Sequence, residues 1–485
     1  MMITAQDLYN YTKCQHRVYL DRHGDSAERG EVSDFVKLLW EMGLQTELDH
    51  LASLDGVYFE NLEALPLEQA CERTQTLMAE GAPMIYQGSI LARHWIGRPD
   101  LLVKWNDAPS RLGDFYYEPI DIKAGRGWEV RLGERTRFKR HYAFQLLFYR
   151  AILEQLQGHL PAVARIINVD NEIEEFDPAD FEDEFAGAVR RVERLVAGEA
   201  TSEPVLGSVC SQCQWFRRCY RWVKTHDDPS GLYFVGKQKF ALKASGLRTI
   251  RDIADMDMDK YVQEPNSIPG VGKKSLERMK KRAQVMLADR PEIRPGYAFP
   301  STDCEIYFDI EDDPTQDLTY LFGMVIKERN DEVAFKYYLA RGPQDEEHVA
   351  RAFWEFLKIH TDVVYYVYSH KERATLHKLM KRYDLESDVF ERYKEHEFDL
   401  YSDLIVKYSD WPTYSYGIKQ IARQVGFNWR DPDPGGANSI AWYSEYVKDT
   451  SRQDIVQRIL DYNEDDCRAM IAIKDYFEQR AQRCS

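Results

Sequence analysis

Four cysteines constrain this chain more than any other feature. Cys210, Cys213 and Cys219 follow one another as C-x2-C-x5-C, with Trp215 and Phe216 between the last two, and Cys14 lies about 200 residues upstream. The remaining four, Cys71, Cys304, Cys467 and Cys484, are scattered. Met1 to Asp7 show no charged segment followed by an apolar one, and no apolar run reaches membrane-span length. The expectation is therefore a cytoplasmic protein without a signal peptide or membrane segment. Disulfides are rare in that compartment, so clustered thiols read as a metal site. With Cys14 as the candidate fourth ligand, four thiolates suit either tetrahedral Zn²⁺ or an iron–sulfur cluster. Spacing alone does not separate the two.

A length of 485 residues implies about three domains, and 44% hydrophobic residues can supply several cores. The net charge of −17 argues against a general nucleic-acid coat protein. It leaves a nuclease open, because carboxylates that hold divalent metals are acidic and basic charge can be local. Two basic runs exist, Lys123 to Arg140 and Lys273 to Arg282. Helices are expected over 31–54, 135–157 and 180–196, with strands over 83–91, 95–105, 115–123 and 162–169. Thr4 is placed to cap a first helix carrying Cys14. Residues 226–290 read as helical, and 289–300 as a Pro- and Gly-containing linker. Strands over 304–310, 319–326, 333–339 and 362–368, with a helix over 345–360, make the remainder α/β.

Two sets of residues are candidates for metal-assisted chemistry. In the first, Asp100 follows Gly97-Arg98-Pro99, Asp121 and Lys123 lie two apart on a strand, and Gln145 and Tyr149 lie one helical turn apart. Two carboxylates on adjacent strands can hold Mg²⁺ or Mn²⁺, and a neighbouring Lys can orient water or offset charge on the phosphate. This ordered set resembles the PD-(D/E)xK nuclease superfamily, in particular its RecB-like branch. The resemblance implies that Asp100 and Asp121 bind metal, that Lys123 is catalytic, and that Gln145 and Tyr149 complete the site. That branch often carries a metal-binding His on an early helix; here Thr46 stands in its place, followed by Glu47, and His50 lies one turn further on. The split cysteine set is similar to that of iron–sulfur RecB-like nucleases, including the CRISPR-associated exonucleases. It implies a 4Fe–4S cluster on Cys14, Cys210, Cys213 and Cys219 that staples the N-terminal helix to the end of the domain.

In the second set, Asp309 and Glu311 share one face of a strand, and Tyr462 and Asp466 share one face of a late helix. Glu372, just after a strand, is the best match for a middle acid, with Asp399 as its rival. Such carboxylates could hold two metals for in-line attack, with Tyr462 orienting the water. The set resembles the RNase H-like DEDD exonucleases of the tyrosine subtype, which act 3′ to 5′. Asp312, Asp313 and Asp465 read as solvated neighbours.

Between the two sets, Ser267-Ile268-Pro269-Gly270-Val271-Gly272-Lys273-Lys274 joins two helical segments. Gly270 and Gly272 allow tight backbone, and the helix that follows opens its N–H groups to phosphate, aided by Lys273 and Lys274. This resembles the helix-hairpin-helix motif, which grips DNA backbone without reading sequence. The whole order is similar to a bacterial family of RecB-like nucleases. It implies an α/β multidomain chain: a PD-(D/E)xK restriction-endonuclease-like domain (1–225), an all-α helix-hairpin-helix region and linker (226–298), and an RNase H-like domain (299–485). The expected activity is metal-dependent cleavage of DNA, single-stranded or end-containing, in repair, recombination or defence. Two other classes fit the same residues: a non-catalytic DNA-binding scaffold that recruits a helicase, and an RNA-directed exonuclease.

Overall fold

The computed structural model describes residues 1–54, 56–131, 134–262, 267–328 and 333–484. They form two compact units, residues 1–32 with 36–219, and residues 33–35 with 220–485. Among the described residues no helix is long and apolar enough to cross a membrane.

In the first unit a six-stranded mixed sheet runs in the order Ile173–Phe176, Ala164–Ile167, Tyr116–Ile122, Leu101–Trp105, Met84–Tyr86 and Glu60–Asn61. Tyr116–Ile122 is buried along its whole length and lies centrally, parallel to one neighbour and antiparallel to the other. The helix Arg140–Gln157 covers it with a broad apolar face that includes Phe144, Leu147, Phe148 and Ile152. Three segments depart from the periodic reading, one of them 95–105, which divides into Trp95–Gly97 and Leu101–Trp105 in different sheets. The segment 83–91 breaks because Gln87 takes a positive φ of 54°, which separates Met84–Tyr86 from Ile90–Ala92. The helix expected from 135 begins at Arg140, because residues before it pair as the hairpin Trp128–Arg131 with Glu134–Phe138.

Thr4 caps the helix Ala5–Lys13 through a reciprocal pair with Asp7. Cys14 occupies the junction with the next helix, Gln15–His23. The indole N–H of Trp215 donates to Asp21 at 2.8 Å, and the Gln214 amide to the Gly30 carbonyl at 2.8 Å. The Cys210–Cys219 segment is thereby laid on the two N-terminal helices.

In the second unit a five-stranded sheet runs Val333–Leu339, Leu318–Glu328, Cys304–Asp313, Val364–Val367, Glu397–Asp399. The first three are antiparallel and the last two join in parallel. Alternation along Cys304–Asp313 sends Phe308 onto Phe353 of the helix Glu346–Ile359. It sends Asp309 to the opposite face, beneath the long helix Gln453–Cys484. Residues 220–290 build a separate apolar cluster from Leu242, Leu247, Ile250, Ile253, Ile268, Leu276 and Met279. The stretch read as a linker is tied down within this unit. Glu292–Ile293 pairs with Ser409–Asp410, and the Tyr297 hydroxyl donates to the Phe477 carbonyl at 2.7 Å.

Candidate metal centres

Among the described residues, one group of three metal-capable side chains closes within 4.8 Å: Asp309, Glu311 and Asp466. Strand alternation supplies the first two, and the long helix supplies the third. A register shift between Glu311 and Asp312 marks a bulge at the end of the paired segment, where Glu311 reaches the site. Asn463 donates to Asp309 Oδ2 at 2.8 Å. It fits only because residue 323 on the adjacent strand is glycine, since a Cβ there would meet the Asn463 Oδ1 at 1.6 Å. The Trp429 indole N–H donates to Asp466 at 2.7 Å.

Burial, with the charge of neighbouring carboxylates, raises the proton affinity of Asp309 and Glu311. Burial drives the Asp309 carboxyl well above the usual range, with the charges of Glu311 and Asp466 adding to it. Glu311, 4% exposed, is pushed up to about 7, by burial first and by Asp466 against the opposing charge of Lys371. Glu372, in the first turn of Lys371–Arg382, stands outside the group of three. It is buried, its Oε2 has no hydrogen-bond partner among the described residues, and burial followed by the charge of Asp309 raises its carboxyl strongly. The chain turns into that helix through Ser369, held at φ 138°, a strained conformation of the kind stored at functional sites. A cluster of carboxylates that raise one another, one with an orphaned oxygen, is the donor chemistry that divalent cations satisfy.

Lys419 belongs to this centre and sequence reading did not find it. Its ammonium donates to the Tyr462 hydroxyl at 2.8 Å and lies 3.5 Å from both oxygens of Asp466. Lys371 pairs with Asp312 at 2.5 Å and donates to the Ile310 carbonyl. Asp313 and Asp465 are not solvated. Asp313 is buried and holds the turn through Thr315 and Gln316, while Asp465 is buried against the Arg430 guanidinium and backbone. The Asp399 carboxylate accepts from the Tyr401 N–H and has His370 3.4 Å away.

In the first unit, Asp100, Asp121, Lys123, Gln145 and Tyr149 form one network. Lys123 pairs with Asp121 at 2.9 Å and donates to Gln145 at 3.1 Å. Gln145 donates to the Tyr149 hydroxyl, which donates to the Arg98 carbonyl. Asp100 accepts the Ile122 N–H at 2.8 Å, and Asp121 accepts the Asp100 N–H at 3.3 Å. Burial and then the charge of Asp121 drive the Asp100 carboxyl well up. Burial opposes the Lys123 charge, but Asp121 and Asp100 outweigh it and raise the ammonium. Glu118, one pleat away, faces the other side and pairs with Arg165 at 2.6 Å.

Glu47 reaches this network from the helix Asp34–Ser53. The Gln87 amide bridges Glu47 Oε2 at 3.3 Å and Asp100 Oδ1 at 3.1 Å. The other two residues considered on that helix point elsewhere. The Thr46 hydroxyl returns to the Met42 carbonyl, and His50 contacts Asn171 at 2.5 Å.

Cys14, Cys210, Cys213 and Cys219 line one cavity of about 40 Å³ with Leu20, Pro204, Val205, Trp215 and Phe216. Burial, then the charges of the neighbouring thiols, pushes Cys219 up to about 12. Burial likewise takes Cys210 up to about 11.

In the hairpin, Gly270 takes a φ of 74°, which favours glycine, and Ile268 and Val271 anchor the loop in the helical cluster. A Cβ on Gly270 or Gly272 would meet nothing within 4 Å, and Lys273 and Lys274 are exposed. The basic run that follows divides. Arg282 is buried against Asp410 at 3.2 Å, and Lys280 donates to the Met256 carbonyl.

Residues 306–478 match the family model RNase_H_2 of the RNase H superfamily. The matched segment contains the sheet and all of Asp309, Glu311, Glu372, Lys419, Tyr462 and Asp466. It makes this part of the chain RNase H-like and suggests nuclease activity. Nucleases of that superfamily generally use divalent metal ions, and the acidic triad is present here. No curated protein matches the chain.

Proposed function

We propose that the chain is a metal-dependent nuclease that cleaves DNA, acting on single strands or ends, with its principal centre at Asp309, Glu311, Glu372 and Asp466. The observation that carries this reading is the closed triad Asp309, Glu311 and Asp466 inside the superfamily match. These acids would hold Mg²⁺ or Mn²⁺, which supplies an activated water and offsets charge on the phosphate. Tyr462, fixed through its hydroxyl by Lys419, is placed to orient the attacking water. Asn463 and Trp429 fix the Asp309 and Asp466 carboxylates before any ion arrives, so little reorganisation remains for binding.

Asp100, Asp121 and Lys123 form a second centre of the PD-(D/E)xK kind, braced by Gln145 and Tyr149. Lys123 is held charged beside the carboxylates and can stabilise a phosphate oxygen. The four thiols would hold a 4Fe–4S cluster that ties the N-terminal helices to residues 210–219. Four thiolates suit a single tetrahedral Zn²⁺ as well. Gly270, Gly272, Lys273 and Lys274 present an open loop and charge to a DNA backbone.

The test is digestion of matched end-labelled DNA and RNA strands with Mg²⁺ or Mn²⁺ by the wild type, Asp309→Ala and Asp121→Ala. The proposal expects DNA to be cut and Asp309→Ala to remove most of the cutting. RNA cut in preference to DNA, or DNA bound but never cut with any metal, would overturn it.

A further inference from the structure

Beside the first centre lies a cationic and aromatic patch that neither metal site uses. Lys13 Nζ lies 3.3 Å from His141 Nδ1 and 5.6 Å from the centre of the Tyr9 ring. Tyr9 meets His141 edge-on at 5.2 Å, and His141 lies 4.4 Å from Tyr142. Lys139 and Lys123 each sit 5.5 Å from the Tyr142 ring centre. The patch therefore runs without a break from Lys13 to the lysine of the first centre.

These cations are poorly compensated. Within the same basic run, Arg126 pairs with Asp170, and Arg137 and Arg140 both pair with Glu184. Among the described residues neither Lys13 nor Lys139 has a carboxylate within ion-pair distance. Glu129 and Glu174 act on Lys139 only through space, and Glu174 is already engaged by the Gly127 N–H and Asn168. Burial lowers the proton affinity of Lys139. Burial, then Lys13, Lys139 and Lys123, takes His141 down to about 3. Lys13 and Lys139 thus present two ammonium groups met by Glu129 and Glu174 only through space, on a surface that offers ring faces.

We propose that Lys13, Lys139 and His141, framed by Tyr9 and Tyr142, form a subsite that binds the phosphodiester backbone of a single nucleic-acid strand running into the first centre. Successive phosphates neutralise the lysines, and the rings offer stacking surfaces to unpaired bases. The proposal rests on the reading of Asp100, Asp121 and Lys123 as a nuclease centre. Lys13 immediately precedes Cys14, so the thiol clamp also positions this subsite.

The experiment measures binding rather than cutting, so that it fails separately from the nuclease reading. Full-length protein in EDTA is titrated with a fluorescein-labelled single-stranded deoxyoligonucleotide over a range of salt. Lys13→Ala/Lys139→Ala should weaken binding about tenfold. It should also reduce the slope of log affinity against log salt by about 1.4, since each single-strand phosphate contact contributes about 0.7. Lys13→Arg/Lys139→Arg should restore both. In the wild type, the oligonucleotide should protect Lys13 and Lys139 from reductive methylation far better than inorganic phosphate at equal phosphate concentration. An unchanged affinity or salt slope in the alanine variant would overturn the subsite while leaving the nuclease reading intact. Equal protection by inorganic phosphate would reduce it to a small-anion site and overturn the strand claim. No binding by the wild type would remove both.

Discussion

Replacing Glu311 by Gln separates what the acidic centre costs the fold from what it does for the reaction. The Glu311 carboxyl is pushed from 4.5 to about 7, chiefly by burial, with Asp466 adding to it. A carboxyl that titrates near 7 when folded and near 4.5 when unfolded holds its proton more tightly in the folded state. Its contribution to stability is fully present below about pH 4.5 and is lost as the pH rises through about 7. One pKa unit is about 1.4 kcal/mol, so the metal-free centre is strained by roughly 3 kcal/mol at pH 8. Glutamine keeps the volume and removes the charge. In EDTA at pH 8 the variant should melt on the order of 5–10 °C above the wild type, taking about 2–4 °C per kcal/mol for a body of this size. At pH 4.5 the two should melt together. Adding Mn²⁺ at pH 8 should reverse the order, because the ion stabilises only a folded state that binds it. Scanning fluorimetry over this pH range reads the effect directly. A difference that is the same at pH 4.5 and pH 8, or a variant less stable than the wild type in EDTA at pH 8, would refute the reasoning.

Three further outcomes follow from single contacts. Lys419→Met removes a charge that lowers both Asp309 and Glu311, so the acid limb of the kcat/KM profile should move to higher pH and kcat should fall about 10- to 100-fold; an unmoved limb would contradict the placement of Lys419. Gly323→Ala should cost about 1–3 kcal/mol through overpacking against Asn463 and reduce cutting although no carboxylate is touched, read by urea unfolding and a cleavage assay. Asp228→Ala removes the buried carboxylate that pairs with Lys239 at 2.9 Å and Lys243 at 2.7 Å, and should cost about 3–5 kcal/mol; a loss below about 1 kcal/mol in urea unfolding would contradict the weight given to these pairs.

The parts of each centre that sequence makes legible are those set by local periodicity. Asp309 and Glu311 share a face because strands alternate, and Tyr462 and Asp466 because helices repeat nearly every four residues. Asp121 and Lys123 follow the first rule, Gln145 and Tyr149 the second. What stayed hidden depends on tertiary contact. Lys419 sits on the short helix Ile418–Gln424 and meets Tyr462 from 43 residues away. Glu47 joins Asp100 only through the amide of Gln87, on a residue whose positive φ also ended the expected strand. Asp465 reads as solvent-facing because its partner Arg430 lies 35 residues away, whereas Asp313 is held by Thr315 and Gln316 of its own turn. The basic run 123–140 misled in the opposite sense. Arg126, Arg137 and Arg140 are paired with Asp170 and Glu184, whereas Lys139 and the distant Lys13 have no carboxylate within ion-pair distance among the described residues.

The most direct test of the central claim is Mn²⁺-dependent cleavage of an end-labelled single-stranded DNA by the wild type and by Asp121→Ala/Asp309→Ala, each verified as folded. The account predicts metal-dependent cutting by the wild type, abolished by EDTA, and none by the double variant. Undiminished cutting by the double variant would contradict the assignment of both centres.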